Sequence, residues 1–179
     1  ILVCGSVMTS VGSKSYWKML WNKEAGDETL SYVDVENMES IETEDIDEVG
    51  VYKEIAKVMG NYLVRMEYKP ENMALQKYMI DEEQRMAVLF YTYGDDTIRY
   101  YMYMNSKDSS FSEKSVDDLI NEYEITTNGH NISVKEYAIK GSEQKRYTAD
   151  FKNKDIQYQI KGKLKREELD KILKNLFFM

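Results

Sequence analysis

From residue 62 onward the chain is written in short segments that alternate with a period of two, each closed by a turn signal. "YLVRMEY" (62–68), "MALQKYMI" (73–80), "RMAVLFYTY" (85–93) and "TIRYYMYMN" (97–105) come first. "LINEYEITT" (119–127), "ISVKEYAI" (132–139), "KRYTADFK" (145–152) and "IQYQIKG" (156–162) follow a polar, serine-rich stretch. The breaks read "KPEN", "DEEQ", "GDD", "NGHN" and "NKD", which are turn chemistry. Period two places successive side chains on opposite faces, so these segments specify strands joined by hairpins. Two stretches flanking these segments show helical periodicity. Val51, Ile55, Val58 and Met59 share one face before a stop at Gly60, and Leu169, Ile172, Leu173 and Leu176 share one face at the end. The expected fold is α+β: an antiparallel β-sheet meander of roughly six to eight strands, with a helix before it and a C-terminal helix packed on it.

The composition fits that fold. Fifteen tyrosines and a single proline in 179 residues suit a chain dominated by strands. At 42% hydrophobic residues, a core of ordinary size can form. The net charge of −8 is uneven: residues 24 to 60 hold twelve acids against Lys53 and Lys57. The acidic balance and the lack of a dense basic patch argue against a nucleic-acid partner. We read residues 1–22 as the end of a transmembrane or signal segment plus an interfacial helix, 23–60 as an acidic connector and helix, and 61–179 as the α+β domain. The opening "ILVCGSVMTSVG" is uncharged and too short to span a bilayer, which takes about twenty residues. Lys14, Tyr16, Trp17, Lys18 and Trp21 follow it, the mixture that a membrane interface favours. Two readings stand, the exit half of a membrane helix or a buried element of a soluble domain, and the first is carried forward. Cys4 is the only cysteine, so no internal disulfide can form.

Several motifs look chemical and are better explained structurally. Tyr93-Gly94-Asp95-Asp96 matches a polymerase metal motif. That chemistry needs a second carboxylate from another strand and basic channels, and the chain is acidic and short. Between two alternating segments the tetrapeptide reads as a hairpin turn. His130, the only histidine, also falls in a turn signal. "DIDEVG" puts Asp45, Asp47 and Gly50 at calcium-loop spacing, but Val49 and Ala56 stand where ligands are required. Glu82-Glu83 and Glu167-Glu168 are sequence neighbours whose side chains diverge, so neither pair forms an acid/base dyad. No phosphate loop, dinucleotide fingerprint, zinc spacing or nucleophile elbow is present. We expect no catalytic residues, no metal and no cofactor.

The hairpin around Gly94 holds the candidate binding residues. Leu89, Tyr91 and Tyr93 share one face of its first strand, with Val88 and Phe90 on the other. On the second strand Ile98, Tyr100, Met102 and Met104 share a face, with Arg99, Tyr101 and Tyr103 opposite. Both faces are partly apolar. One must bury against the helices. The other is either covered by a helix or the N-terminal arm, the reading we prefer, or left as a platform. Tyr91, Tyr93, Arg99, Tyr101 and Tyr103 are the residues such a platform would use.

"EYKPENMALQKYMIDEEQRMAVLFYTY", "IRYYMYMNSKDSS" and "YTADFKNKDIQYQIKGKLKREELDKILKNLFF" together resemble the bacterial domain-of-unknown-function 4367 family, over about residues 60 to 179. The family's Pro-Glu-Gly turn corresponds to Pro70-Glu71-Asn72-Met73, with Asn72 in the glycine slot. Tyr158, Gly162, Glu167, Glu168, Ile172 and Leu173 match its closing strand and helix, while Lys165 stands where a Ser or Thr cap is usual. The resemblance implies a module outside the membrane, often behind a single membrane helix, and in some members the outer part of an anti-sigma-factor-like regulator. It brings no catalytic residues. The expectation is a non-catalytic sensory or protein-interaction domain of a single-pass bacterial membrane protein, on the extracytoplasmic side, whose partner is an unidentified envelope protein or ligand. The alternative is a module that binds a small apolar or cell-wall-derived ligand through the tyrosine-rich sheet face.

Overall fold

A computed structural model describes residues 39–42, 46–104 and 117–179. Its elements are β1 (Glu39–Glu42), α1 (Glu48–Met59), β2 (Val64–Met66), β3 (Met73–Asp81), β4 (Met86–Tyr93) and β5 (Asp96–Met104). After them come β6 (Asp118–Thr127), β7 (His130–Ala138), β8 (Lys145–Asn153), β9 (Ile156–Lys163), α2 (Arg166–Lys174) and β10 (Leu176–Phe178). Eight strands form one antiparallel sheet in the order β1-β3-β4-β5-β9-β8-β7-β6, and β2 pairs separately with β10. The expected α+β sheet with a helix before it and another after it is therefore the architecture found.

The order departs from an uninterrupted meander at one point. β5 pairs with β9, and β6 lies at the far edge. A hairpin needs two to five loop residues; the polar stretch between Met104 and Asp117 is far longer, which frees β5 to take another neighbour. β1 is a second departure, because it falls in the stretch read as an acidic connector before the helix. Glu39–Glu42 instead pairs with β3 from Glu39↔Ile80 to Glu42↔Lys77. A short, charged strand is a common way to close a sheet edge.

One face of the sheet carries the core. A row of directly opposed residues crosses it: Tyr78, Leu89, Tyr100, Ile160, Ala149, Val134 and Tyr123. Onto this face pack Val51, Tyr52, Ile55 and Met59 of α1, Leu169, Ile172 and Leu173 of α2, and Val64, Met66 and Leu176 of the small β2–β10 pair. Helix α1 starts where Asp47 accepts from the Val49 N–H at 3.1 Å, and it stops at Gly60 with φ 90°. Gly50 sits beneath that cap, because a Cβ there would stand 2.9 Å from Asp47 Oδ2. Asp47 and Gly50, the calcium-like pair of the sequence, thus have a helix-capping role.

Tyrosines tie the two layers together. Tyr78 donates to Glu54 at 2.9 Å and Tyr91 to Glu48 at 2.8 Å, both on α1. Tyr123 donates to Asp170 at 3.0 Å and Tyr68 to Glu168 at 2.8 Å, both on α2. Tyr100 reaches the Val64 carbonyl at 2.8 Å and Tyr158 the Tyr62 carbonyl at 3.2 Å. Each ring fills core volume and each hydroxyl finds an acceptor beyond it. The abundance of tyrosine is therefore a property of the layer contact as well as of strand preference.

Helix α2 ends at Lys174, two residues short of Leu176. Asn175 closes it, and Leu176 then pairs with Met66. Leu176 stays buried, but as a strand residue.

Candidate functional site

The two ends of the sheet differ, and so do its two faces. Hairpin β4–β5 turns at Gly94 (φ 60°) and Asp95, with Tyr93 opposite Asp96. The polymerase-like tetrapeptide is thus a two-residue turn. Asp96 pairs with Lys163 at 3.5 Å. At the same end lie the β7–β8 connection and the start of α2. They enclose a cavity of about 610 Å³, with Tyr93, Asp96, Glu136, Lys145, Tyr147 and Arg166 on its wall.

The charges of this cavity are largely committed to each other. Glu136 shares the core-facing side of β7 and is buried; Lys145 donates to it at 2.5 Å. That hydrogen bond is the main reason its carboxyl is held below the ordinary range, with Asn121 adding to it. Tyr147 is pushed up to about 12 by burial first and by the Glu136 charge second. Arg166 lies 4.2 Å from the Tyr123 ring centroid, a cation–π contact. Helix α2 begins at Lys165 with no side-chain cap, as the sequence implied. Its walls combine aromatic rings with paired charges, and among the described residues that line it there is no nucleophile–base pair. Strand alternation placed Tyr93, Glu136, Lys145 and Tyr147 on strands, while Asp96 read as part of the turn. Their convergence was hidden, because it depends on β9 returning beside β5.

The five residues proposed as a binding face do not share a face. Directly opposed residues of an antiparallel ladder lie on the same side. Tyr91 opposes Ile98, whereas Arg99 opposes Phe90 and Tyr101 opposes Val88. Tyr91 is therefore in the core, and burial, followed by the neighbouring Tyr52 and Glu48, holds its phenol well above the usual value. Tyr93 is half-buried at the cavity mouth. Arg99, Tyr101 and Tyr103 stand on the opposite face; Tyr103 is half-buried and its phenol is raised by burial and then by Asp150.

That second face has its own composition. Met79, Met86, Val88, Phe90 and Tyr101 are between 0% and 4% exposed, yet none belongs to the core that α1 and α2 cover. A row of opposed residues beside them reads Lys77, Phe90, Arg99, Lys161, Thr148 and Lys135. Lys77 sits 4.9 Å from the Phe90 ring centroid. Aromatic and aliphatic groups thus lie next to a line of cations on this face.

The remaining motifs have structural positions. His130 stacks on Phe178 at 4.2 Å, past the Asn128-Gly129 turn, whose φ values of 48° and 77° suit a two-residue hairpin. The Pro70–Met73 turn closes with the Met73 N–H on the Pro70 carbonyl at 2.9 Å, and Asn72 keeps a negative φ, so the left-handed conformation is not needed. Among the described residues no group of three or more His, Cys, Asp or Glu could hold a metal ion, and no helix is long and apolar enough to cross a membrane. Cys4 and the segment read as a membrane exit lie outside the described residues.

Fold and site together define a small α+β module whose antiparallel sheet carries a helix-covered core on one face. The chain belongs to the family described as domain of unknown function (DUF4367), whose model matches residues 63–176. No curated protein matches the chain. Among solved structures it is similar to the solution structure of cyanobacterial PsbP (CyanoP) from Synechocystis sp. PCC 6803. The identity is 9%, over 80% of this chain and 93% of that one, with a TM-score of 0.35. A likeness at that level carries nothing about activity.

Proposed function

We propose that this is a non-catalytic sensory or protein-interaction domain, held on the extracytoplasmic side of a single-pass bacterial membrane protein. One observation carries the reading: the sheet has two apolar faces, and the described helices use only one. The other, with Met79, Val88, Phe90 and Tyr101 beside Lys77, Arg99 and Lys161, suits a protein contact better than a reaction. The shifted phenols support it too, since burial and structural acceptors account for them. Binding at this face would shift the population of a state transmitted through the segment before residue 39, as an anti-sigma-like relay requires.

The test is topology in the full-length protein. Asp95→Cys in the exposed β4–β5 turn, with Cys4 replaced, is treated in intact cells with a membrane-impermeant maleimide. Labelling is the expected result. Labelling only after lysis overturns the extracytoplasmic assignment.

A second reading has its own observation. The cavity of about 610 Å³ lies beside the β4–β5 hairpin, where a small cell-wall-derived ligand could enter next to Tyr93. It replaces the sheet-face version of ligand binding, because Tyr91 is enclosed in the core.

A further inference from the structure

The β6–β7 turn grips the end of α2 and the strand β10 through three side chains. Thr127 donates its hydroxyl to the Lys174 carbonyl at 3.3 Å, and the Asn128 carboxamide donates from Nδ2 to the Leu176 carbonyl at 3.1 Å. The His130 ring stacks on Phe178 with the centroids 4.2 Å apart. Both carbonyls need these donors. Lys174 closes α2, and the last carbonyls of a helix have no partner within it. Leu176 points away from β2. The ladder of that pair uses Asn175, which accepts from the Glu67 N–H, and Met179, whose N–H donates to Leu63. Alternate residues of an antiparallel strand face opposite sides, so the residue after Asn175 faces the free edge of β10. Leu176 is 2% exposed, and losing the Asn128 amide leaves its buried carbonyl without a donor.

The sequence makes the same asparagine reactive. Asn128-Gly129 is the only Asn-Gly pair in the chain. Asparagine is among the thermolabile residues. It deamidates when the backbone nitrogen of the next residue attacks its side-chain carbonyl carbon, and a following glycine leaves that nitrogen unshielded. Asn128 and Gly129 are both exposed, and a Cβ on Gly129 would meet no atom within 4 Å. Among the described residues no backbone carbonyl accepts from the Gly129 N–H.

The reaction and the grip exclude each other. Ring closure forms a bond between the Gly129 nitrogen and Asn128 Cγ. The amide proton passes to solvent, and Nδ2 leaves as ammonia. Nδ2 is the atom that holds Leu176. Water then opens the cyclic imide at one of its two carbonyls, giving aspartate or isoaspartate, and no oxidant or reductant takes part. Neither product remakes the bond. An ionised aspartate offers acceptors only, so it cannot donate to the Leu176 carbonyl. It also sets a negative charge near the C-terminal end of α2, where the helix dipole disfavours one. Isoaspartate further lengthens the main chain inside a turn that the Thr127↔His130 pair holds to two residues.

We propose that Asn128 is a self-modification site: the closed grip on β10 restrains its deamidation, local release of β10 admits the reaction, and the product keeps β10 released. The substrate is the protein's own carboxamide and the co-reactant is water. The conversion is a one-way step, and it is independent of what the domain binds and of the side of a membrane on which it sits.

The test follows residues 1–179 folded in mildly alkaline buffer and, in parallel, unfolded in urea. Conversion at Asn128 is read by peptide mass spectrometry, with heavy-oxygen water marking the hydrolysis. The folded chain should convert at Asn128 several-fold more slowly than the unfolded chain. Phe178→Ala and Thr127→Val, each checked by circular dichroism, should speed the folded reaction several-fold; Thr127→Val carries the test where Phe178→Ala does not fold. Ile98→Val, which weakens the core on β5, should leave the rate unchanged. In Asn128→Asp, amide hydrogen exchange at Phe177 and Met179 should be faster than in the parent, with exchange in α1 unaltered. A folded chain that stays unconverted while the unfolded chain reacts overturns the proposal. Equal folded and unfolded rates overturn it as well, because the grip then restrains nothing. Acceleration by Ile98→Val as large as that by the grip variants assigns the reaction to global unfolding, and parent-like exchange of β10 in Asn128→Asp shows that the product tolerates the grip; either result also overturns it.

Discussion

Replacing Gly162 by alanine tests the tightest contact in the sheet. Gly162 lies on β9, and its φ is ordinary for a strand, so backbone freedom does not explain it. Space does. A Cβ at this position would stand 2.3 Å from Cδ1 of Ile98, 3.1 Å from its Cα and 3.2 Å from the Thr97 carbonyl oxygen. Carbon atoms in good contact are about 3.5–4.0 Å apart, so Cδ1 has to retreat by more than about 1 Å. Ile98 is fully buried, opposite Tyr91, and has no free volume to enter. Overpacking of this kind costs about 1–3 kcal/mol. The lower backbone entropy of alanine in a strand returns about 0.5–1 kcal/mol of that. A net loss of about 1–2 kcal/mol lowers the melting temperature by about 2–8 °C at this chain length. Thermal and guanidinium unfolding of the whole chain measure it. Ile98→Val removes Cδ1, at a cost of about 0.5–1.5 kcal/mol alone. In that background Gly162→Ala should be less harmful by about 1 kcal/mol. A Gly162→Ala variant as stable as the parent, or strictly additive losses in the double variant, would refute the steric account.

Glu48→Ala strips the buried Tyr91 hydroxyl of its acceptor and Lys69 of its 2.8 Å ion pair, so it should lower stability by about 1–3 kcal/mol in urea unfolding; Tyr91→Phe, which removes the donor as well, should cost less. Glu136 has a folded pKa below its unfolded value, so the stability it contributes is complete above the unfolded pKa and is lost as pH falls through the folded one. Lys145→Met removes the leading cause, and the urea midpoint of that variant should therefore fall less steeply on the acid side than that of the parent.

Much of this architecture was legible because strands with one buried face must alternate. Every segment from "MALQKYMI" to "IQYQIKG" became a strand within a few residues of its reading, and Asn-Gly and Gly-Asp became the hairpins they spell. Three short or distant features were not. β1 is Glu-Ser-Ile-Glu, whose edge pairing depends on β3 rather than on its own sequence. β10 follows α2 directly, and its Leu-Phe-Phe continues a helical spacing until Asn175 breaks it. The β5–β9 pairing joins segments far apart in the chain, and no local signal announces it. The same pairing assembles the cavity wall from Asp96, Lys163 and Tyr147, so the cavity was hidden with it. The binding-face proposal grouped tyrosines by strand, and the register then sent Tyr91 and Tyr101 to opposite sides.

The order of the sheet also has a kinetic meaning. Apart from the edge strand β1, it consists of two blocks, β3-β4-β5 and β6-β7-β8-β9, each built from hairpins between chain neighbours. Such local closures have low loop entropy and form in microseconds. The blocks meet only where β5 lies against β9, and there Arg99 opposes Lys161, sixty-two positions along the chain. Closing that seam is the slow, non-local step. It is also the step that lets α2, which follows β9, settle beside α1 on the same core. Ile98 over Gly162 sits at the seam, so the rate at which the halves find each other depends on a glycine that a static view would count as merely small.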